Sequence, residues 1–194
     1  MEYDFSLMRC VSGYHSEERQ DDSYIVPSGA DFERWDPREA GLSIFRNLVA
    51  APATLEGALA YTKRFGLLTD GRELSVKAWC THRLLMAEAF SKAESGDWVG
   101  LQAHVGLYPL GQMSTRIRSD FNDHGAMRLV LKPRSLIQMA WVEFVLLITG
   151  EAKFRQCDMC AVWFAFGPGT KRRSSARFCG PSCRKANHVI KRGI

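Results

Sequence analysis

The spacing of hydrophobic and polar residues changes several times along the chain, and each change marks an element. Between Gly41 and Ala50, LSIFRNLVA reads as a short helix that stops near Pro52. Thr54 suits the N-cap of a second helix, because its hydroxyl can accept from a free amide of the first turn. Leu55, Ala58, Leu59, Thr62 and Phe65 then recur on one face, and Gly66 ends the helix. A third helix is expected from roughly Leu74 to Ala93, with Val76, Cys80, Leu84 and Ala87 at helical spacing and Gly96 closing it. Asp97 caps a fourth segment, WVGLQAHVGL.

After Pro109 the period falls to two. Thr115, Ile117, Ser119 and Phe121 alternate with Arg116, Arg118 and Asp120, and Met127, Leu129 and Leu131 alternate with Arg128, Val130 and Lys132. The intervening Asn122-Asp123-His124-Gly125 has turn chemistry, so the segment predicts a β-hairpin. Arg116, Arg118, Arg128 and Lys132 share one face, read as a solvated outer surface rather than a nucleic-acid platform. Ser135 to Thr149 is apolar nearly all round, which places it as a helix in the middle of a core. Residues 1–39 show little periodicity. Asp21, Asp22, Pro27, Ser28 and Gly29 predict loop, with room for one short strand.

The 194-residue length and 46% hydrophobic content suit one main domain with a small appendage. The expected fold class is α+β. Residues 1–152 form a mainly helical domain with a β-hairpin and a buried apolar helix, and residues 153–194 form a small zinc finger. MEYDFSLMRC carries acids where a secretory leader would have a basic and then an apolar segment. The apolar run Leu136 to Ile148 is interrupted by Gln138 and Glu143 and is too short to span a bilayer. Both features predict a cytoplasmic protein without a membrane partner.

Cysteine placement changes the picture most. Cys10 and Cys80 are isolated, and Cys80 reads as a small apolar residue of a helix. Cys157 and Cys160 form a C-x2-C pair, and Cys179 and Cys183 a C-x3-C pair. In a reducing compartment, two such pairs point to a metal site rather than to disulfides. The first pair has the spacing of a tight knuckle whose amides point at the thiolates. The second sits where Gly180-Pro181 starts a helix, whose N-terminus favours thiolate charge. Between them, Trp163, Phe164 and Phe166 lead to a Gly-Pro-Gly turn, and Arg177-Phe178 returns as the second strand of a hairpin. Phe164 and Phe178 are expected to cover the site. Knuckle, hairpin and helix together describe a treble-clef-like finger.

Four thiolates favour Zn(II) and leave no coordination position for an activated water, so the predicted site is structural. Competing readings are unligated thiols, a redox C-x2-C pair, an iron–sulfur site, or His188 in place of Cys183.

Charge is distributed unevenly. Residues 151–194 hold ten Lys or Arg against two acids, a net of +8, whereas residues 1–150 hold sixteen against nineteen, a net of −3. A basic end on a near-neutral body predicts an anionic partner. Candidate phosphate contacts are Lys171, Arg172, Arg173 and Arg177 on the hairpin, and Arg184, Lys185, Lys191 and Arg192 on the helix. Arg184 and Asn187 have the chemistry to read bases.

The C-terminal RQC…WF…RFC…C…KAN, following an apolar helix and an earlier ALAYTKRFGLL, resembles the CGNR zinc-finger family of bacterial proteins with an ABATE-type N-terminal domain. The name-giving Cys-Gly-Asn-Arg is here Cys183-Arg184-Lys185-Ala186, and both cysteine pairs are more tightly spaced than in that family. The resemblance implies a transcription regulator whose finger binds DNA. The expected partner is accordingly DNA, with RNA as the other nucleic acid, and the N-terminal domain is expected to sense a ligand or form a homo-oligomer. The alternative is a structural or protein-interaction finger with no nucleic-acid role. Neither a nucleophile motif, a phosphate loop, HExxH nor a recognisable carboxylate pair is present. His82, Glu88 and His104 read as helix-face residues. The expectation is that the protein is not an enzyme.

Overall fold

The computed structural model describes residues 2–3, 7–36, 41–106, 114–120, 126–150, 153–167, 170 and 172–192. The chain folds as α+β, and polar side chains cap its helices, Thr54 and Asp97 among them as the sequence places them. Ser43 accepts from the Arg46 amide and opens α1 (Ile44–Ala50). Thr54 accepts from the Gly57 amide and opens α2 (Leu55–Phe65), which Gly66 ends. Ser75 caps α3 (Val76–Ser95), and Gly96, in the left-handed region at φ 74°, closes it. Asp97 Oδ1 accepts from the Gly100 amide at the start of α4 (Trp98–Gly106).

The first 36 residues depart from expectation. Their described residues include five strands: β1 (Glu2–Tyr3), β2 (Leu7–Cys10), β3 (Tyr14–Arg19), β4 (Asp22–Pro27) and β5 (Phe32–Trp35). β2 pairs antiparallel with β5, and β3 with β4. The expected irregular lead-in is therefore a pair of small antiparallel ribbons. Their alternation is invisible in the sequence for a physical reason. β3 buries only Tyr14 and exposes the rest of YHSEER, while β4 buries the adjacent Ile25 and Val26. Neither strand has one clean apolar face.

β4 gains a third neighbour in β6 (Leu74–Ser75), which pairs through Ile25↔Leu74 and Tyr24↔Ser75. Leu74 was expected at the start of the third helix; it begins the strand β6 instead. Asp22 bonds the Ser75 hydroxyl and, at 3.4 Å, the Lys77 amide, fixing the strand-to-helix turn.

The inward face of α3 also differs from the expected one. Leu84 is 53% exposed, whereas Trp79, Met86 and Ala89 are buried. A 20-residue helix offers more than one apolar stripe. Burying the large Trp79 side chain removes more apolar area from water than burying Cys80 or Leu84. Cys80 is half-buried against the core rather than inside it.

The hairpin appears as expected: β7 (Ser114–Asp120) pairs antiparallel with β8 (Ala126–Lys132). Its turn at 122–125 lies outside the described residues, as do the side-chain positions of Arg116, Arg118, Arg128 and Lys132. β1 joins β8 in parallel, tying the N-terminus to the middle of the chain.

Ser135 caps α5 (Leu136–Ile148), which is buried from Leu136 to Phe144. α5 packs against α1 and α3, and Phe45 meets Phe144 edge-on at 5.3 Å and Phe90 at 5.5 Å. Among the described residues no helix is long and apolar enough to cross a membrane.

Candidate metal centre

The C-terminal module is built from three short elements. β9 (Phe154–Gln156) and β10 (Trp163–Ala165) pair antiparallel, and α6 (Pro181–Arg192) follows a loop. Cys157 to Cys160 occupies the tip of the β9–β10 hairpin. There the Cys157 amide donates to Val162 O at 2.9 Å and the Ala161 amide to Cys157 O at 2.9 Å. Ala161 takes a positive φ of 57°, which tightens this turn.

The expected hairpin was different: Arg177-Phe178 was to return against Trp163–Phe166. The returning strand is β9, ahead of the knuckle. The stretch 172–178 has no alternation and forms turn bonds rather than a ladder with β10, with Gly167 N bonding Arg172 O and Ala176 N bonding Arg173 O. Pro181 occupies the first helical position of α6, where its missing N–H costs no bond.

The two pairs converge. One ligand atom from each of Cys157, Cys160, Cys179 and Cys183 lies within 4.8 Å of all the others. Cys160 Sγ is 3.5 Å from Cys179 Sγ, which is 3.6 Å from Cys183 Sγ. A tetrahedral ion with metal–sulfur bonds of about 2.3 Å needs sulfur–sulfur edges of about 3.8 Å. The four sulfurs therefore have the geometry to hold one metal ion. His188 sits on the exposed side of α6, outside the cluster.

The electrostatics of the four thiols are unequal. Burial resists ionisation of Cys157, but amide hydrogen bonds from Cys179, Cys160 and Met159 prevail and bring its thiol down to about 6. The Cys179 amide makes one of these at 3.3 Å. Burial, and then the sulfurs of Cys160, Cys183 and Cys157, push the Cys179 thiol far up. Cys183 is also raised: its bond with Cys179 favours the thiolate, but Cys160, some burial and Cys157 outweigh it. A cation among these groups removes the repulsion. Ion binding near pH 7 is thus expected to release at least the two protons held by Cys179 and Cys183. Because protons compete with the ion, affinity should fall by at least about 100-fold per pH unit as pH drops through neutrality. Calorimetry in buffers of different ionisation enthalpy measures the proton count. A pH-independent affinity would contradict it.

The segments carrying the two pairs are also laced by protein contacts. The Asp158 amide donates to Arg177 O at 3.1 Å, and the Arg177 guanidinium bonds Asp158 Oδ2 at 2.6 Å. Arg155 Nη1 donates to Ala176 O at 2.9 Å, and its guanidinium lies 4.4 Å from the Phe166 ring centre.

The module is joined to the rest of the chain by backbone pairing. Leu42 bridges antiparallel to Phe164, Ser43 N donates to Trp163 O at 3.0 Å, and Ala165 N to Gly41 O at 3.1 Å. Asn47 donates to Trp163 O and accepts from Trp163 N. The Arg46 guanidinium lies 4.1 Å from the Phe90 ring centre and 4.7 Å from that of Trp163. Phe164 is fully buried at this joint, while Phe178 is half-buried.

Behind the joint, the buried carboxylate of Glu143 accepts from Ser43 Oγ at 3.0 Å and from Phe45 N at 2.9 Å. The sequence signal for it was a single acid inside an apolar helix, since a buried charge must find partners.

Of the eight cationic candidates, Arg173, Arg184 and Lys185 are exposed, and Arg177 is exposed while paired with Asp158. Lys171 lies outside the described residues, as do the side chains of Lys191 and Arg192. Arg172 turns inward. Its Nη1 donates to Gly41 O at 3.1 Å, its Nη2 to Cys179 O, and its guanidinium lies over the Phe164 ring. Gly41 has φ 64°, and a Cβ there would overlap the Arg172 guanidinium. Gly41→Ala is expected to cost about 2 kcal/mol, from left-handed strain and the displaced arginine. Urea unfolding measures this, and a neutral substitution would show that the joint carries no stability.

Comparisons with protein-family models, with curated proteins and with solved structures find no match for the chain. The chemistry of the site therefore carries the functional argument.

Proposed function

We propose that Cys157, Cys160, Cys179 and Cys183 hold a structural Zn(II) ion, and that the exposed cations of the module contact nucleic-acid phosphates, with DNA as the partner. The convergence of four sulfurs within 4.8 Å carries the metal assignment. An all-thiolate tetrahedral set suits Zn(II). An iron–sulfur cluster would place its inorganic core between the thiolates and hold them farther apart. With all four positions taken by protein, the ion stabilises the module and activates no water.

The net charge of +8 on residues 151–194, with Arg173, Arg184 and Lys185 exposed, supports the phosphate reading. The resemblance to CGNR zinc-finger proteins supports the same role, that of a bacterial transcription regulator. Arg172 is assigned to the joint rather than to the partner. The proposal predicts salt-sensitive binding whose log K against log salt flattens by up to about three units in an Arg173→Ala/Arg184→Ala/Lys185→Ala variant. A fluorescence titration of duplex DNA and of RNA across a salt series tests it. Tighter RNA binding would reassign the partner, and absence of binding at low salt rejects the nucleic-acid role.

The inward turn of Arg172 and the bridge from Leu42 to Phe164 favour a second reading, in which the module is a structural cover for the body. That reading stands if the metal is present and no nucleic acid binds.

A further inference from the structure

The four sulfurs of the metal centre are not equivalent toward solvent. Cys157 is 3% exposed and receives the Cys179 amide, whereas Cys160 is exposed. Cys160 ends the knuckle turn beside Met159, itself 38% exposed. The Cys160 sulfur lies 3.5 Å from that of Cys179. These two belong to different cysteine pairs, so their approach is a product of the fold. It is held by contacts that do not involve an ion: Asp158 N to Arg177 O, the Arg177–Asp158 pair, Cys179 N to Cys157 Sγ, and Arg155 to Ala176 O.

We infer that Cys160 is a site of oxidation by hydroperoxides, with Cys179 as the sulfur that resolves it into a disulfide. This inference rests on the metal assignment and is independent of nucleic-acid binding. The Cys160 thiolate attacks one peroxide oxygen and the O–O bond breaks. Cys160 becomes a sulfenic acid, and the other oxygen leaves as alcohol or water after taking a proton from solvent. The Cys179 thiolate then attacks the Cys160 sulfur. The S–O bond breaks, an S–S bond forms, and hydroxide leaves as water with a second solvent proton.

Two thiolates are oxidised by two electrons and one hydroperoxide is reduced. The sulfurs must close from 3.5 Å to a bond of about 2.05 Å. Such a movement, about 1.5 Å, lies within reach of a turn and of a chain segment bordered by Gly180. Cys157 and Cys183 alone form an incomplete site, so the ion is released. Oxidation thus unloads the module, and a dithiol reductant restores it.

The test treats the full-length zinc-loaded Cys10→Ala/Cys80→Ser variant with hydrogen peroxide. This variant retains only the four cysteines of the centre. Zinc release is followed with a chromogenic chelator, and disulfides are mapped by peptide mass spectrometry. The expected result is one zinc released per two thiols lost, an early Cys160–Cys179 bridge, and recovery of zinc binding after dithiothreitol. A first bridge that uses Cys157, zinc release without a disulfide, or retained zinc after a hundredfold excess of peroxide would each overturn the inference. Protein that binds no zinc before oxidant is added would instead refute the metal assignment itself.

Discussion

Stripping the ion with a strong chelator, or replacing Cys157 by Ser, is expected to unfold the C-terminal module and to loosen the body as well. The module has little core of its own: β9 and β10 are three residues each, and α6 exposes Val189 and Ile190. On the proposed assignment its order comes from the ion, from the joint and from the contacts between its two cysteine segments. Structural zinc binding in isolated fingers is worth about 10–16 kcal/mol, most of it spent on ordering the chain. With free zinc at about 1,000 times its dissociation constant, the native state gains about 4 kcal/mol. For a chain of this length that corresponds to roughly 8–16 °C in melting temperature.

The effect should reach beyond the cysteines, because Ser43 N and Ala165 N bond across the joint. Hydrogen exchange at these two amides is expected to rise by an order of magnitude or more when the ion is removed. Unchanged melting and unchanged exchange at the Ser43 and Ala165 amides would show that the ion does not support the fold. Failure of the Cys157→Ser protein alone would not decide the matter, so the chelator experiment on the natural chain is the primary measurement.

Glu143 should produce the second large effect. Its carboxylate is 5% exposed and accepts from the hydroxyl and the amide that begin α1. A negative group at a helix N-terminus also meets the positive end of the helix dipole. Glu143→Ala leaves the Ser43 hydroxyl and the Phe45 amide without this acceptor and opens a void beneath the joint. A loss of about 3–5 kcal/mol is expected. Glu143→Gln keeps a carbonyl acceptor in place and should cost about 1–2 kcal/mol, chiefly the lost charge. Urea unfolding of both variants separates the two contributions. Equal losses for Ala and Gln would mean that charge, rather than the acceptor geometry, is what α1 requires. Because Ser43 also pairs with Trp163 O, the Ala variant should weaken metal retention as well.

The legibility of the chain varied with how each element is stabilised. Caps at Thr54, Asp97 and Gly96 act within one turn, so their residues stand next to the structure they make. α5 was readable because almost every side chain in it is apolar. β3, by contrast, faces solvent along nearly its whole length and left no alternating pattern. On α3, the choice between Leu84 and Met86 as the buried residue depended on where α1 and α5 press, which no local rule contains.

The candidate site divides in the same way. The four-cysteine set was legible because its spacing is a local property of two turns. Which strand returns beside Trp163 was not legible, because β9 lies before the knuckle and pairing depends on the folded path.

By itself, the sequence determined the four-cysteine set, the helix caps at Thr54, Asp97 and Gly96, the buried apolar helix, the β7–β8 hairpin and the excess of positive charge at the C-terminus. All of these follow from residues within a few positions of one another, where spacing and side-chain chemistry decide the outcome. Only the tertiary structure decided that Arg172 points inward to Gly41, that Glu143 lies beneath Ser43, and that Cys160 meets Cys179 in the open. Those contacts join residues 131, 100 and 19 positions apart, and they form only when packing of the intervening chain brings them together.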